Sequence, residues 1–228
     1  NEIGNMCSAV PGVDARLVWK GVHLDRRLTP INGQVGGAAG VTEYLWHGLG
    51  FGGSCFPKDV AALRSFGRTV GEQTRMLDAV LDINTDQPLR MVALLEKELS
   101  LAGKTVAVLG LAFKPGTDDL RESPALPLVA ELRKKGAKVL VHDPIAMPHA
   151  KKRPEFRDVV FAEDWAEALR KSDACCLVTA WPEYRNIQPT NFQKLMTRAL
   201  VIDGRGVFEP AAMAAAGVVW RGVGYTPE

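Results

Sequence analysis

The 228-residue sequence has few cysteines, almost no charge imbalance and no long apolar run. Lys and Arg number 28 against 26 Asp and Glu, and a net charge of +2 is too small to predict a phosphate-binding surface for nucleic acid. No stretch approaches the ~20 apolar residues of a membrane span, and the start NEIGNMCSAV lacks the pattern of a signal peptide. We therefore expect a cytoplasmic protein with neither nucleic-acid nor membrane partners.

The four cysteines form no CxxC pair and have no histidine at a metal-ligand spacing, which argues against structural zinc and a secreted disulfide framework. Cys175 and Cys176 lie in the apolar run DACCLVTA, and Cys7 lies in a helical pattern, so all three are predicted to be buried. Cys55 differs, because its neighbours are glycines, phenylalanines and charged residues. The histidines also lack ligand spacing and are predicted to be surface or structural residues, with no metal site: His23, His47, His142 and His149.

The first part of the chain, to about residue 101, shows helical periods broken by a glycine-rich stretch at 33–53. Ile3, Met6 and Val10 predict one helical face that ends at Pro11-Gly12. Residues over 77–84 also repeat at helical spacing, and apolar residues at the same spacing resume after Pro88. Either Asp86 caps a new helix with Pro88 in its first turn, or Pro88 kinks a single long helix.

From Gly103 onward, strands and helices alternate. A helix is predicted over 123–136, with Ser123 as its cap, Pro124 in its first position and Gly136 at its end. Buried strands are predicted within 104–113, 137–144, 173–180 and 199–204, with a closing strand near 218–221. The fold class is therefore α/β: a helical central segment, residues 1–102, precedes a Rossmann-like doubly wound parallel sheet, residues 103–228.

The glycine fingerprint of a dinucleotide site is missing from this sheet. The first strand is followed by GLAFK at 110–114, with no GxGxxG, so the sheet is not predicted to hold a whole NAD molecule. Polar residues follow the strands instead, at the edge where open α/β sheets bind ligands. They are Lys114, Thr117, Asp118, Asp119, Arg121, Asp143, Asp203 and Arg205.

The segment GLGFGGSCFPKD at 48–59 carries the strongest chemical signal. Its glycines let the backbone approach a ligand closely, and a helix starting near Pro57 would place Cys55 at its positive end. A cation or a helix N-terminus raises the fraction of nucleophilic thiolate, and Asp59 is placed to assist a water or a proton transfer. The same pattern also fits a structural glycine loop with an incidental buried cysteine.

Four segments carry a family resemblance: GFGGSCFPKD at 50–59, LGLAFKPGTDDLRESPAL at 109–126, NEIGNMCSAVPGVDA at 1–15 and VIDGR at 201–205. Together they resemble the UDP-glucose/GDP-mannose dehydrogenase family, most closely its UDP-glucose 6-dehydrogenases. The resemblance implies an NAD-dependent oxidoreductase that turns UDP-glucose into UDP-glucuronate by two hydride transfers, as in polysaccharide biosynthesis. The alternatives are a GDP-mannose 6-dehydrogenase and a non-catalytic nucleotide-sugar-binding module.

The resemblance also implies roles for individual residues. Cys55 matches the nucleophile that forms a thiohemiacetal and then a thioester, and Asp59 matches a carboxylate near the attacking water. Lys58 and Arg121 match cofactor contacts. The substrate contacts that it implies are Arg27, Tyr44, Leu45, Trp46, Gly48, Gly50, Phe51, Gly52, Phe113, Lys114 and Arg205. Arg27 resembles an arginine that reaches the substrate of the neighbouring subunit, which predicts a homodimer through the central helices.

The chain departs from the family in three respects. The glycine-rich segment 29–43 is longer than usual, and Trp46 stands where some relatives carry a basic residue. Family members also begin with a GxGxxG domain and further active-site residues, ahead of the point that matches Asn1. We therefore expect this portion to fold and to bind a UDP-sugar weakly, without turnover by itself.

Overall fold

The computed structural model describes residues 1–25 and 45–225, in which five helices precede a parallel sheet. The five helices are α1 (Glu2–Cys7), α2 (Ala15–His23), α3 (Phe56–Thr69), α4 (Arg75–Asp86) and α5 (Leu89–Glu96). Asp14 caps α2, since its carboxylate accepts a hydrogen bond from the N–H of Arg16 at 2.8 Å. Within the described residues, no helix is long and apolar enough to cross a bilayer.

The predicted doubly wound parallel sheet is confirmed. Its strands are β1 (Thr105–Leu109), β2 (Lys138–His142), β3 (Val160–Phe161), β4 (Ala174–Leu177), β5 (Leu200–Asp203) and β6 (Val219–Gly222). They pair in parallel in the order β3-β2-β1-β4-β5-β6, so the order reverses between β1 and β4. The carboxyl ends of β1 and β4 therefore flank the crevice where such sheets bind ligands.

Helices cover the sheet between the strands. They are α6 (Ala125–Lys134), α7 (Met147–Ala150), α8 (Trp165–Leu169), α9 (Pro182–Arg185), α10 (Pro189–Leu195) and α11 (Pro210–Ala215), with a 3₁₀ turn at Pro154–Phe156. Pro124, rather than Ser123, occupies the cap position of α6, although Ser123 Oγ accepts the N–H of Ala125 at 3.2 Å. Cys175 and Cys176 are fully buried in β4 and Cys7 is buried in α1, as predicted.

The prediction that the first helix extends to Pro11-Gly12 is wrong, because α1 ends at Cys7. The N–H groups of Ala9 and Val10 bond to the carbonyls three residues earlier, at 3.0 Å each, which tightens the last turn and ends the helix. Ile3 and Met6 share an apolar face, but they are 43% and 58% exposed. The helical period was thus correctly identified, while the face that it defines stays largely exposed among the described residues.

The break near Pro88 separates two helices. α4 ends at Asp86, and α5 begins at Leu89 after a turn at Gln87 and Pro88, so Asp86 ends one helix rather than capping the next. Met91, Val92 and Leu95 of α5 are buried in the core of the sheet. A domain boundary at residues 102 and 103 stays a prediction, but α5 packs with the sheet that follows it.

Candidate active site

The glycine-rich loop before α3 is held by amide side chains of α4 and of the turn after it. Asn84 accepts a hydrogen bond from the N–H of Phe51 at 2.7 Å and donates one to its C=O at 3.0 Å. Gln87, which is 1% exposed, donates to the C=O of Gly48 at 2.6 Å. A Cβ at Gly50 would lie 2.3 Å from Asn84 Oδ1, so this clamp requires a glycine there.

Residues at the N-terminus complete the clamp. Asn1 Oδ1 accepts the N–H of Gly48 at 2.8 Å, and the side chains of Asn5 and Gln87 exchange two hydrogen bonds, at 3.0 and 3.2 Å. The peptide groups of Gly48 and Phe51 are therefore satisfied by side chains distant in sequence, because this part of the loop belongs to no helix or strand.

The sulfur of Cys55 stands at the start of α3. Cys55 occupies the N-cap position of this 14-residue helix, as predicted, and its side chain is exposed beside Ser54 Oγ at 3.6 Å. The N–H of Asp59 bonds to the C=O of Cys55 at 2.8 Å, and the Asp59 carboxylate pairs with Lys58 Nζ at 3.2 Å. The structure thus gathers Cys55, Lys58 and Asp59 in the first turn of one helix.

The loop also docks onto the segment that follows β1. The N–H of Gly53 bonds to the C=O of Arg121 at 2.8 Å. A Cβ at Gly53, where φ is +86°, would lie 2.8 Å from the ring of Phe113, and one at Gly52 would lie 2.3 Å from the C=O of Glu122. Phe113 and Arg121 were predicted from a motif more than 50 residues away, and the structure brings both to the cysteine loop.

A cleft of about 590 Å³ lies along the cysteine loop and is lined by residues just before and just after Cys55, although not by Cys55 itself. Its walls include Gly53, Ser54, Lys58, Arg121 and Glu122. The two predicted cofactor contacts, Lys58 and Arg121, therefore line the same space although they come from different parts of the chain. The cleft is open and carries three cationic side chains that suit a phosphate-bearing ligand, Lys58, Arg64 and Arg121, together with the carboxylates of Asp82 and Glu122.

Arg121 is oriented by a carboxylate. Its guanidinium forms a bidentate pair with Asp119, with Nε to Oδ1 at 3.0 Å and Nη2 to Oδ2 at 2.8 Å. The hydrogen bonds from Arg121 lower the pKa of Asp119 below its usual value. Lys114, in the same segment after β1, is exposed, and its Nζ lies 5.5 Å from the centroid of the Phe113 ring.

Arg205 approaches the other end of the glycine loop. Its Nε donates to the C=O of Val178 at 2.6 Å, and its Nη1 would lie 3.7 Å from a Cβ built on Gly48. Burial lowers the pKa of Arg205 to about 10. The side chain of Leu49 packs on Gly204, so the loop is seated directly on the carboxyl end of β5.

The remaining predicted contacts lie elsewhere. Leu45 and Trp46 lie against α2: His23 Nε2 is 3.2 Å from the C=O of Leu45, and the His23 and Trp46 rings meet edge to face at 4.8 Å. Arg27 and Tyr44 lie outside the described residues, so their predicted roles stay predictions.

The residues missed from the sequence are mainly those that fix the loops. Asn84 and Gln87 clamp the glycine loop. Asp143 and Asp203, predicted as charges at the ligand edge, are instead 1% and 0% exposed. Burial raises the pKa of Asp203, whose carboxylate accepts the N–H groups of Arg205 and Phe208 at 2.9 Å each. One signal was present for Asn84, a polar residue on the apolar stripe of a predicted helix.

Comparisons with known proteins identify one family that matches both parts of the chain. A model of the UDP-glucose/GDP-mannose dehydrogenase family, central domain, matches residues 1–86, and a model of the same family's UDP binding domain matches residues 107–210. The chain belongs to this family. The two matched parts contribute the cysteine loop and the Phe113–Arg121 segment that meet at the cleft.

Relatives within the family include UDP-glucose 6-dehydrogenase TuaD of Bacillus subtilis, 37% identical over 98% of this chain and 46% of that protein. AglM of Haloferax volcanii, also a UDP-glucose 6-dehydrogenase, is 42% identical over 91% of this chain and 44% of its own length. A UDP-glucose dehydrogenase structure from Pyrobaculum islandicum superposes with a TM-score of 0.82 at 36% identity, covering 99% of this chain and 47% of that one. The chain thus spans about half the length of these family members.

Proposed function

We propose that this chain is the central and C-terminal part of an NAD-dependent UDP-glucose 6-dehydrogenase, which oxidises UDP-glucose to UDP-glucuronate. The observation that carries the proposal is the exposed Cys55 at the N-cap of α3, in a loop that borders a cleft lined by Lys58 and Arg121. The similarity to proteins named UDP-glucose 6-dehydrogenase supports the substrate, since identities of 31–42% to them exceed the 26% to a GDP-mannose dehydrogenase structure.

Cys55 acts as the covalent nucleophile in this proposal. Its thiolate adds to the aldehyde carbon at C6 of the sugar, and the aldehyde oxygen takes up a proton to give a thiohemiacetal. Loss of hydride from that carbon and of the hydroxyl proton leaves a thioester. Water then attacks the thioester carbon, releasing the carboxylate and restoring the thiol. Asp59, in the same helical turn, is placed to take the proton of that water.

Lys58 and Arg121 are the residues of this chain that fit NAD, because both cations line the cleft along the cysteine loop. When bound, NAD accepts the hydride in each of the two oxidations. The edge of β1 does not fit the dinucleotide, since it lacks the glycine fingerprint. We expect further contacts to come from the part of the relatives that this chain does not span.

The nucleotide sugar is held from several directions. Gly48, Gly50, Phe51 and Gly52 contribute the clamped loop, Phe113 and Lys114 come from the segment after β1, and Arg205 follows β5. The match to a UDP-binding domain over residues 107–210 supports diphosphate binding on this side. Arg27, Tyr44, Leu45 and Trp46 are proposed as further substrate contacts from the family motif.

The decisive experiment uses this chain together with the N-terminal half that its relatives carry. NADH formation is followed during titration with UDP-glucose and with GDP-mannose. Preferential oxidation of UDP-glucose is expected, and Cys55→Ser is expected to abolish carboxylate formation. Normal UDP-glucuronate production by Cys55→Ser would remove the nucleophile assignment, and preference for GDP-mannose would change the substrate. Binding of UDP-glucose without oxidation would favour a non-catalytic binding module.

We also propose a homodimer through the central helices. The support is a set of apolar side chains on α1 and α2 that stay largely exposed in the part of the chain that the structure describes: Ile3, Met6, Leu17, Val18 and Val22 are 38–64% exposed. Leu17→Glu is expected to shift the sedimentation coefficient from that of a dimer to that of a monomer, whereas Val160→Glu on β3, which lies outside the central helices and is similarly exposed at 57%, is the matched control and should stay dimeric. A monomeric unsubstituted chain would contradict the proposal.

A further inference from the structure

Asp143, at the carboxyl end of β2, is buried, and both oxygens of its carboxylate accept hydrogen bonds from the protein. Its Oδ2 accepts hydrogen bonds from the N–H groups of Leu111 at 2.7 Å and Ala112 at 3.0 Å, and from the indole N–H of Trp181 at 3.0 Å. Its Oδ1 accepts the N–H groups of Ile145 at 3.0 Å and Ala146 at 2.8 Å. One carboxylate thus ties together the segments that follow β1, β2 and β4.

The peptide carbonyls of the segment after β1 are satisfied as well. Ser123 Oγ donates to the C=O of Leu111 at 2.6 Å, and Thr179 Oγ1 donates to the C=O of Ala112 at 2.5 Å. Both peptides are fully buried and bonded only to side chains from other segments. Leu111 and Ala112 therefore have one defined position, set by Asp143 on the N–H side and by two hydroxyls on the C=O side.

This arrangement differs from that of a dinucleotide-binding sheet. There, N–H groups directly after the first strand face the pyrophosphate of the ligand. Here the corresponding N–H groups face a carboxylate supplied by the protein. The segment after β1 is thus organised by an internal anion and has no free N–H groups at Leu111 and Ala112 to offer a phosphate.

The held segment leads directly to the candidate active site. Phe113 follows Ala112; its ring packs against the backbone at Gly53, two residues before Cys55, and its Cβ packs against the backbone at Gly52. A displacement of Leu111 and Ala112 would move Phe113 and, with it, the support beneath the cysteine loop. The path from Asp143 to this loop consists of two peptide groups and one aromatic ring.

We propose that Asp143 is a positioning residue for the active site: by holding Leu111 and Ala112, it fixes Phe113 and Lys114 for the nucleotide sugar and keeps the Gly52–Gly53 backbone in place. The part of this inference that concerns the nucleotide rests on the proposed function. The part that concerns the cysteine loop needs no ligand.

The test compares Asp143→Asn with Asp173→Asn in the 228-residue chain. Asp173 is a matched control, because its carboxylate also accepts a backbone N–H, that of Thr105 at 2.9 Å, at the opposite edge of the same sheet. The first measurement is the dissociation constant for UDP by calorimetry. Asp143→Asn is expected to raise it about tenfold, because one side of the carboxylate loses its acceptor, while Asp173→Asn leaves it within about twofold.

The second measurement is hydrogen exchange at the amide of Gly53, which bonds to the C=O of Arg121. Exchange is expected to accelerate about tenfold in Asp143→Asn and to stay unchanged in Asp173→Asn when both are compared at equal global stability. If Asp143→Asn does not fold, Thr179→Val, which removes one bond to Ala112 and keeps the side-chain shape, is judged by the same two measurements.

The two proposals fail in different ways. Equal UDP affinity and equal Gly53 exchange in Asp143→Asn and the unsubstituted chain, or equal changes in Asp173→Asn, would overturn the positioning role. Failure of the unsubstituted chain to bind UDP would count against the proposed function. In that case hydrogen exchange at the Gly53 amide is the one measurement that tests the role of Asp143.

Discussion

Gly53 shows at the scale of one residue why the cysteine loop needs glycine. Its φ of +86° is unfavourable for other residues, and a Cβ would lie 2.8 Å from the ring of Phe113. Gly71 has a similar φ of +79° but nothing within 4 Å of a built Cβ. A substitution at Gly71 therefore tests backbone strain alone, whereas one at Gly53 tests backbone strain together with crowding against Phe113.

We predict that Gly53→Ala lowers the free energy of unfolding by more than Gly71→Ala. Gly71→Ala is expected to cost about 1–2 kcal/mol for the left-handed backbone alone, and Gly53→Ala adds the displacement of Phe113. Urea denaturation of both variants measures the difference. Equal losses would show that Phe113 moves away at no cost and does not support the loop.

The buried histidines predict a dependence of stability on pH. Burial lowers the pKa of His142, which lies 2.9 Å from the hydroxyl of Tyr184 through Nδ1, and burial also lowers the pKa of His47. The unfolded chain, with a histidine pKa near ~6.5, therefore binds protons more readily than the folded chain. Stability should fall as pH decreases below about 6.5 toward the lower folded pKa values.

His142→Gln tests this expectation. Glutamine keeps a polar partner for Tyr184 but does not titrate, so the fall in urea midpoint between about pH 7.5 and 5.5 should be smaller than in the unsubstituted chain. An unaltered slope in His142→Gln would contradict the assignment.

At the scale of elements, α4 packs against α3 and its end also holds the glycine loop. Asn84 and Gln87 lie one turn apart at its end and bond to Phe51 and Gly48, so the glycine loop depends on where this helix stops. The turn at Gln87 and Pro88 ends α4 at that point. The side chain of Gln87 is thereby buried against the loop.

We predict that Asn84→Ala lowers the free energy of unfolding by about 1–3 kcal/mol, because the N–H and C=O of Phe51 lose their partner in a half-buried site. Thr85→Ala, the next residue of α4, is the control. Its hydroxyl bonds only within the helix, to the C=O of Leu81, and its loss should cost within ~0.5 kcal/mol. Thermal unfolding of the two variants provides the measurement, and similar losses would argue against the clamp.

The elements also show where sequence patterns suffice. Alternating apolar strands and helices predicted β1, β2, β4, β5 and β6 and the helix α6 between β1 and β2, because a buried parallel strand is apolar along its whole length. β3 was not predicted, because a strand of two residues is too short to show a sequence pattern. The end of α1 was misplaced, because its apolar face is exposed and packing did not extend the helix.

At the scale of the whole molecule, the core extends across the predicted domain boundary. Met91, Val92 and Leu95 of α5 are 0–2% exposed and belong to the core of the sheet. Glu98, after α5, bridges Arg198 at 3.0 Å and Arg221 at 2.6 Å. The segment from α5 to β1 is thus part of the sheet domain in its packing.

We predict that a chain of residues 88–225 unfolds cooperatively, whereas a chain of residues 103–225 is markedly less stable. Removal of α5 takes away three buried apolar side chains and uncovers the core surface on which they pack; the burial of each is worth about 1.5–3 kcal/mol. Urea denaturation followed by circular dichroism compares the two. Equal midpoints would show that α5 is dispensable and that the boundary lies at residue 103.

The sequence by itself determined the order of the elements, the parallel sheet, the cysteine at a helix start and the family, because these follow from local periods and contiguous motifs. Tertiary structure alone decided what holds the site together. Asn84 meets Phe51 across 33 positions and Asp143 meets Ala112 across 31, and no local pattern records which buried polar group will find which partner. The physical reason is that a buried amide or carboxylate must satisfy its hydrogen bonds, but the partners become available only when the chain has folded.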